Sequence, residues 1–346
     1  MPQTRTAQTA TLDAAALARW AAREVPALGL TEPRITPLAG GRSNLSYRVD
    51  AGAAPLVLRR PPLGRVLATA HDVHREYRAL AALSATDVPV PEPVALCEDT
   101  DVIGAPFFLM NWVDGRICRS PQDLAQLAAG APATAAALAD TLAALHRIDP
   151  AAVGLADFGR PAGYLNRQVA RWHRQTLASR DRRLPDLDSL ARRLAESVPE
   201  PRRTSIVHGD YRLDNVLLMP AQPTRIAAVL DWEMSTLGDP LADLGLLCVY
   251  WDGLRGLEPA APLGPGTAAG WPGHAELIER YARCAGTDVD GLDWYLAFAY
   301  FKIAAILDGV DYRARGGFGG DEEDCAAVAA SVPEIAARGH RALRPA

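Results

Sequence analysis

Apolar positions fall at helical spacing over 11–25, "TLDAAALARWAAREV", with Leu12, Leu17 and Trp20 near one face. The pattern then shortens. "RITPLA" and "LSYRVD" read as β segments flanking Gly40-Gly41, and "PLVLRR" follows the turn at Gly52. Helical spacing returns over 70–85, where Val73, Tyr77, Leu80 and Leu83 form a stripe. "VPVPEPVALCED" and "PFFLMNWV" predict two further strands, the proline-rich one at an edge or entering as a loop, because proline cannot donate to a ladder. The outcome is a strand-rich unit with one helix over 31–113, preceded by a helical segment over 1–30.

After "DGR" at 114–116 the pattern changes. "PATAAALADTLAALHRI", "AGYLNRQVARWHRQTL" and "LDSLARRLAESV" predict helices, and "TSIVHGD", "NVLLM" and "RIAAVLDWE" predict short β runs. From Asp239 onward the chain reads as helix, broken by "EPAAPLGPGTAAGWPG", which holds too much Pro, Gly and Ala to be regular. The predicted class is α+β with two lobes, a small antiparallel sheet lobe and a larger helical lobe over 114–346 carrying a buried hairpin.

Composition changes this picture little. Two lobes suit 346 residues, and 49% hydrophobic with 22% charged residues is ordinary for a globular chain. A net charge of −5 gives no reason to expect nucleic acid. No unbroken run of about 18 apolar residues predicts a membrane span, and "MPQTRTAQTA" has no apolar core of a secretion signal. Five cysteines without a CxxC argue against zinc and disulfides, so a reducing cytoplasm is the expected compartment. Lys302 is the only lysine; every other basic residue of that kind is arginine. Nothing in the sequence fixes the oligomeric state.

The chemistry concentrates in "IVHGDYRLDN" at 206–215, between the apolar pair Ile206-Val207 and "VLLM". A surface loop can carry such polarity for solubility alone. Sixteen residues beyond Asn215, the apolar "IAAVL" ends in Asp231-Trp232-Glu233. Two antiparallel strands between them would return Asp231 towards Asn215 and Asp210. Asp231 and Asn215 offer hard oxygen ligands of the kind that share Mg²⁺ with phosphates, which leaves Asp210 to accept or orient a hydroxyl proton. That division of labour, and the H-x-D-x-x-x-x-N spacing, match the catalytic loop of kinase-type phosphoryl transfer.

The chain resembles the aminoglycoside phosphotransferase and choline kinase family, whose fold is related to the protein kinases. "HGD" and "LDWE" resemble its small-molecule branch. "GGRSNLSYRV", "LVLRRPP", "AHDVHREYRAL", "HGDYRLDN", "VLDWEMSTLGDPLADLG" and "FKIAAILDG" are similar to a subgroup found alone in bacteria or fused to acyl-CoA dehydrogenases in animals. The resemblance spans about residues 30–315. It implies ATP and Mg²⁺ and a small-molecule hydroxyl acceptor, with Asp210, Asn215 and Asp231 as catalytic residues and the last two as metal ligands. Gly40, Gly41, Ser43 and Asn44 would lay backbone N–H groups on the phosphates; a simple turn is the alternative. Arg59 falls where the family has its phosphate-binding lysine, Glu76 would pair with it, and Arg60 is the alternative occupant. Met110 would be the gatekeeper, with the Asn111 carbonyl and Val113 amide reading adenine.

Other polar residues have blander readings. His71 and His74 share a helix face without a third ligand. His208 is expected to brace the loop, Asp239 and Asp243 to cap a helix and tie the loop down, Glu233 to hold the Asp231 turn, and "DEED" at 321–324 to suit a helix N-terminus. For the acceptor, residues 160–203 carry eleven arginines against five acidic residues, whereas 245–346 carry fourteen acidic against nine basic. Arginines suit a carboxylate or CoA thioester, and aminoglycosides want an acidic pocket. Trp271, Trp294, Tyr300 and Phe301 would line an apolar wall or serve as helical core. A hydroxylated acyl acceptor is therefore expected, with an antibiotic-modifying kinase or a catalytically weak nucleotide-binding module as alternatives.

Overall fold

The computed structural model describes residues 12–38, 44–51, 54–62, 72–179, 182–201, 203–257, 263–316 and 322–343. The chain divides into two compact units, one of 1–115 with 227–233, the other of 116–226 with 234–346.

The smaller unit opens with α1 (Ala14–Glu24), whose first turn is capped by the Asp13 carboxylate accepting from the Ala16 N–H at 2.9 Å. Strands β1 (Arg34–Pro37), β2 (Leu45–Asp50) and β3 (Leu56–Arg60) follow, then α2 (Val73–Leu83), β4 (Pro93–Cys97) and β5 (Phe107–Asn111). The five strands form one antiparallel sheet in the order β1-β2-β3-β5-β4. The proline-rich strand β4 lies at the edge, where a missing N–H costs no ladder bond. Alternation along β2 and β3 sends Tyr47, Val49, Leu56 and Leu58 to one face, against Leu17 and Trp20 of α1. Trp20 meets Phe107 edge-on at 4.8 Å. Each such fully buried side chain is worth about 1.5–3 kcal/mol, so α1 belongs to the core of this unit.

Helix α2 is capped by Asp72, which accepts from the Arg75 N–H at 3.0 Å. Its buried stripe is Val73, Ala79, Leu80 and Leu83, and Glu76 lies in the same stripe. Tyr77 is only half-buried and meets Phe108 edge-on.

The larger unit begins with α3 (Pro121–Leu127), α4 (Ala131–Arg147), α5 (Tyr164–Ser179) and α6 (Pro185–Glu196). Strand β6 (Ser205–Val207) leads to the candidate loop, and β7 (Val216–Leu218) leaves it. The Met219 N–H donates to the Arg225 carbonyl at 2.9 Å, closing the turn into β8 (Ile226–Val229), which from Ala227 onward belongs to the smaller unit. Strand β9 (Thr236–Gly238), which the sequence pattern missed, pairs antiparallel with β6. Helices α7 (Leu241–Cys248), α8 (His274–Ala285), α9 (Leu292–Arg315), α10 (Glu322–Ala330) and α11 (Val332–Ala342) complete it.

Among the described residues, only the stretch Pro121–Arg147 is long and apolar enough to cross a membrane by length and composition. It is α3, a 3₁₀ turn and α4, and α4 buries Leu138, Leu142 and Leu145. Of the aromatic residues weighed for an acceptor wall, Trp271, Trp294 and Phe301 are core. Trp271 donates to the Leu124 carbonyl, Trp294 donates to the Leu194 carbonyl and stacks on Phe298, and Phe301 is buried. Tyr300 is half-buried and donates to the Gly253 carbonyl.

The start of α8 is clamped by a carboxylate. Asp252 accepts from the His274 backbone N–H at 3.0 Å and from its ring Nδ1 at 2.5 Å. The hydrogen bond to Asp252 raises the imidazole above its ordinary range. Folding therefore favours protonated His274, and this stabilisation is present below the unfolded pKa and fades as pH rises through the raised folded one. Thermal melting of His274→Gln should show its largest deficit against the parent chain near pH ~5.5 and little deficit above pH ~8. A deficit independent of pH would show that the ring acts by packing alone.

Candidate active site

The smaller unit contributes a four-residue ion-pair cluster. Strand β3 alternates faces, so neighbouring Arg59 and Arg60 point opposite ways. Arg59 Nε donates to Glu76 Oε2 at 2.7 Å, and its Nη2 donates to Asp231 Oδ1. Glu233 Oε2 lies 4.0 Å from the same Nη2, and Ser46 Oγ accepts from Nη1 at 3.5 Å. Arg60 is instead buried with its Nη2 on the Tyr47 hydroxyl at 3.2 Å. Arg59, not Arg60, thus pairs with Glu76.

The electrostatics follow from burial. Glu76 is 2% exposed, and burial pushes its carboxyl up, against the pull of the Arg59 guanidinium; the Asp231 charge pushes it further up. Burial also acts to lower Arg59, but Glu76, Asp231 and Glu233 outweigh it and hold the guanidinium charged. Asp231 has φ 67°, a left-handed conformation uncommon for a residue with a side chain. The Trp232 indole N–H on the Val229 carbonyl at 3.0 Å ties this turn. Among the sequence candidates, Gly40, Gly41 and Ser43 lie outside the described residues. Asn44 is buried, and its Nδ2 donates to Glu76 Oε2 at 3.3 Å, so its side chain joins the ion-pair cluster.

Met110 is buried at the end of β5, in register with Val57 and Pro93. The Asn111 backbone N–H is taken by the Glu92 carbonyl at 2.8 Å, and its side chain donates to the Glu92 carboxylate at 3.0 Å. The Val113 N–H makes no backbone hydrogen bond among the described residues.

The larger unit holds the loop 208–215. Gly209 has φ +85°, and a Cβ there would stand 2.7 Å from the Met234 carbonyl oxygen, so only glycine fits. Asp243 on α7 accepts from the backbone N–H groups of His208 at 2.6 Å and Gly209 at 2.9 Å. Its Oδ2 also meets His146 Nε2 at 3.3 Å, and His146 Nδ1 meets the Tyr281 hydroxyl at 2.8 Å. Burial alone would raise Asp243, but the hydrogen bond and charge of His146, the charge of His208 and the Gly209 N–H keep it below its ordinary range. His208 Nδ1 accepts from the Asp210 N–H at 3.2 Å. The braces expected of His208 and Asp243 are present. Asp239 accepts from the Leu241 N–H and the Tyr295 hydroxyl, a capping arrangement.

Asp210 therefore sits on a fixed turn. Asn215 Nδ2 donates to the Asp210 carbonyl at 2.8 Å and to its Oδ2 at 2.9 Å, and Arg212 Nε stands 3.4 Å from Oδ2. With its N–H₂ group on Asp210, Asn215 turns its carboxamide oxygen the other way, where it can serve as a ligand. Arg212 also lies over the Tyr250 ring and 3.1 Å from Asp214. Several arginines of 160–203 are spent structurally: Arg167 on the carbonyls of 160 and 162, Arg182 on Asp308, Arg193 on His340. No cluster of three or more His, Cys, Asp or Glu suited to a metal occurs among the described residues.

The smaller unit thus holds the Arg59–Glu76 pair with Asp231, and the larger unit holds Asp210 on a braced turn followed by the Asn215 carboxamide. The chain belongs to the APH phosphotransferase enzyme family, whose model matches residues 34–277. It is 39% identical over 287 residues to acyl-CoA dehydrogenase family member 11 of Gallus gallus, across 80% of this chain and 36% of that protein. It is 36% identical over 284 residues to acyl-CoA dehydrogenase family member 10 of Mus musculus, across 80% of this chain and 26% of that one. The chain thus spans about a third or less of these relatives' length. A crystal structure from Ralstonia eutropha JMP134, of a protein assigned to the aminoglycoside phosphotransferases, superposes with TM-score 0.82 at 34% identity, over 96% of this chain and 98% of that one. A thermostable mutant of aminoglycoside phosphotransferase APH(4)-Ia, in ternary complex with AMP-PNP and hygromycin B, shares the fold at TM-score 0.58 and 19% identity, over 94% of this chain and 98% of that one. The fold is the protein-kinase-like α+β fold expected from the motifs.

Proposed function

We propose that the chain transfers the γ-phosphoryl group of ATP to a hydroxyl of a small molecule, a hydroxyacyl compound or its CoA thioester. The observation that carries this is Asp210, held on a turn whose backbone groups are bound by Asp243, His208 and Asn215. Such a carboxylate orients the acceptor hydroxyl and takes its proton as the oxygen bonds to the γ-phosphorus and the bond to the departing ADP oxygen breaks. Nearly all the catalytic demand is then positioning and charge neutralisation.

Arg59 is the candidate phosphate clamp, and the backbone of Asn111 and Val113 the candidate reader of adenine, beside Met110. Gly40, Gly41, Ser43 and Asn44 are proposed to cover the phosphates. Asp231 and Asn215 are the proposed Mg²⁺ ligands, because a carboxylate and a carboxamide oxygen are the hard donors that this ion shares with phosphates. Bound there, Mg²⁺ would neutralise phosphate charge. The acyl acceptor is supported by the relatives, which carry the matched region in proteins named acyl-CoA dehydrogenases. An amino sugar is the second reading, from the family resemblance; the APH(2'')-IIIa structure, which holds GDP and kanamycin, shares the fold at 16% identity.

Screening ATP turnover against hydroxyacyl-CoAs, amino sugars and macrolides tests the reading. Turnover is expected with a hydroxyacyl acceptor. Asp231→Ala should lose it by about 10³-fold, together with Mg²⁺-dependent nucleotide binding. Undiminished turnover in Asp231→Ala would remove the metal assignment, and turnover only with amino sugars would move the chain to the second reading.

A further inference from the structure

Lys302 stands alone as the single lysine among 36 lysine and arginine residues, at a place no motif marks as catalytic. It lies on α9, 7% exposed. Its Nζ donates to the Gly209 carbonyl oxygen and sits 5.5 Å from the centre of the Trp172 ring on α5. Among the described residues it forms no ion pair. Burial pushes the ammonium down from its ordinary range; Asp210 of the loop and Asp243 of α7 oppose this, and Arg171 of α5 adds to it.

The Gly209 carbonyl and the Asp210 N–H are two ends of one peptide group. The N–H end is held by His208 Nδ1, and the carbonyl end by Lys302. With Asp243 on the two preceding N–H groups, the turn presenting Asp210 is fixed on every side. A buried ammonium without a carboxylate partner carries a desolvation cost that Met or Leu at the same place would not incur. Everywhere else the chain uses arginine, even at position 59; here the cation must meet one carbonyl beside an indole face. A compact ammonium does that, and a forked guanidinium does not do it equally well.

We propose that Lys302 is a positioning residue for phosphoryl transfer: its ammonium locks the Gly209–Asp210 peptide, and with it the direction of the Asp210 carboxylate, without touching nucleotide or acceptor. This rests on the proposed role of Asp210, so one arm of the test does not require turnover. In Lys302→Met, hydrogen exchange of the His208–Asp210 backbone amides should speed up about tenfold or more as the peptide loosens. The dissociation constant for ATP with Mg²⁺ should stay within about twofold, and with an acceptor that supports turnover kcat should fall about 30-fold with little change in KM. Lys302→Arg, keeping the charge, should recover part of that rate. Unchanged exchange in Lys302→Met overturns the proposal, as does a loss appearing wholly in the acceptor KM, which would make Lys302 an acceptor-binding group. Absence of turnover with every acceptor, alongside accelerated exchange, would defeat the kinase reading and leave the peptide lock standing. Should Lys302→Met fail to fold, [ε-¹³C]lysine in the parent chain gives one lysine resonance. It should titrate below the ordinary lysine range and lower still in Asp210→Asn; titration like an exposed lysine overturns the proposal.

Discussion

Asp210→Asn should lower kcat by about 10³-fold while leaving nucleotide affinity within about twofold. The change keeps the side-chain shape and removes the proton acceptor. The turn itself is held through backbone groups by Asp243, His208 and Lys302, so it stays in place without the carboxylate. The loss should therefore appear in single-turnover phosphoryl transfer and not in equilibrium binding of ATP or in thermal melting. A variant within tenfold of the parent rate would mean that another group accepts the hydroxyl proton, and the proposed role of Asp210 would fall. A variant that loses nucleotide binding as well would show that its charge, not its basicity, is what the site uses.

Arg59→Ala should have the largest effect on stability. It leaves Glu76, Asp231 and Glu233 without the cation they surround, and Glu76 is almost wholly buried. Stranding one partner of a buried pair costs about 3–5 kcal/mol. The sign of the pH dependence is fixed. Without Arg59 the buried Glu76 carboxyl is raised further, so the folded state holds a proton that the unfolded state releases, and the deficit should shrink as pH falls from ~8 towards ~5. Denaturant unfolding at several pH values reads this directly. Arg59→Lys should keep more than half of the stability but less of the ATP affinity, because one ammonium cannot span Glu76 and Asp231 as the fork does. A deficit in Arg59→Ala that grows as pH falls would contradict the assignment of Glu76 as its buried partner.

The same cluster shows where sequence reading ends. The strand and helix that carry Arg59 and Glu76 are visible as period-two and period-3.6 patterns, and the caps Asp13 and Asp72 sit where capping chemistry puts them. The pairing of Arg59 with Glu76 was expected from family resemblance, and alternation along β3 decided it against Arg60. That Asp231 also binds Arg59, 172 positions away, had no local signal. Glu76 left one trace, a carboxylate inside an otherwise apolar helical stripe.

What the sequence by itself determined was whatever lies within one element or one short loop. This includes the antiparallel strands of the smaller unit, the main helices, and the H-x-D-x-x-x-x-N spacing of His208, Asp210 and Asn215, which are held together by local hydrogen bonds. The tertiary structure alone decided that β9 pairs with β6, that Asp243 clasps the N–H groups of His208 and Gly209, and that the one lysine closes the same turn from 93 positions away. The physical reason is that periodicity and capping arise from contacts a few residues apart. A buried carboxylate or ammonium finds its partner only when helices pack, and hydrophobic patterning specifies that they pack without naming which polar groups then meet.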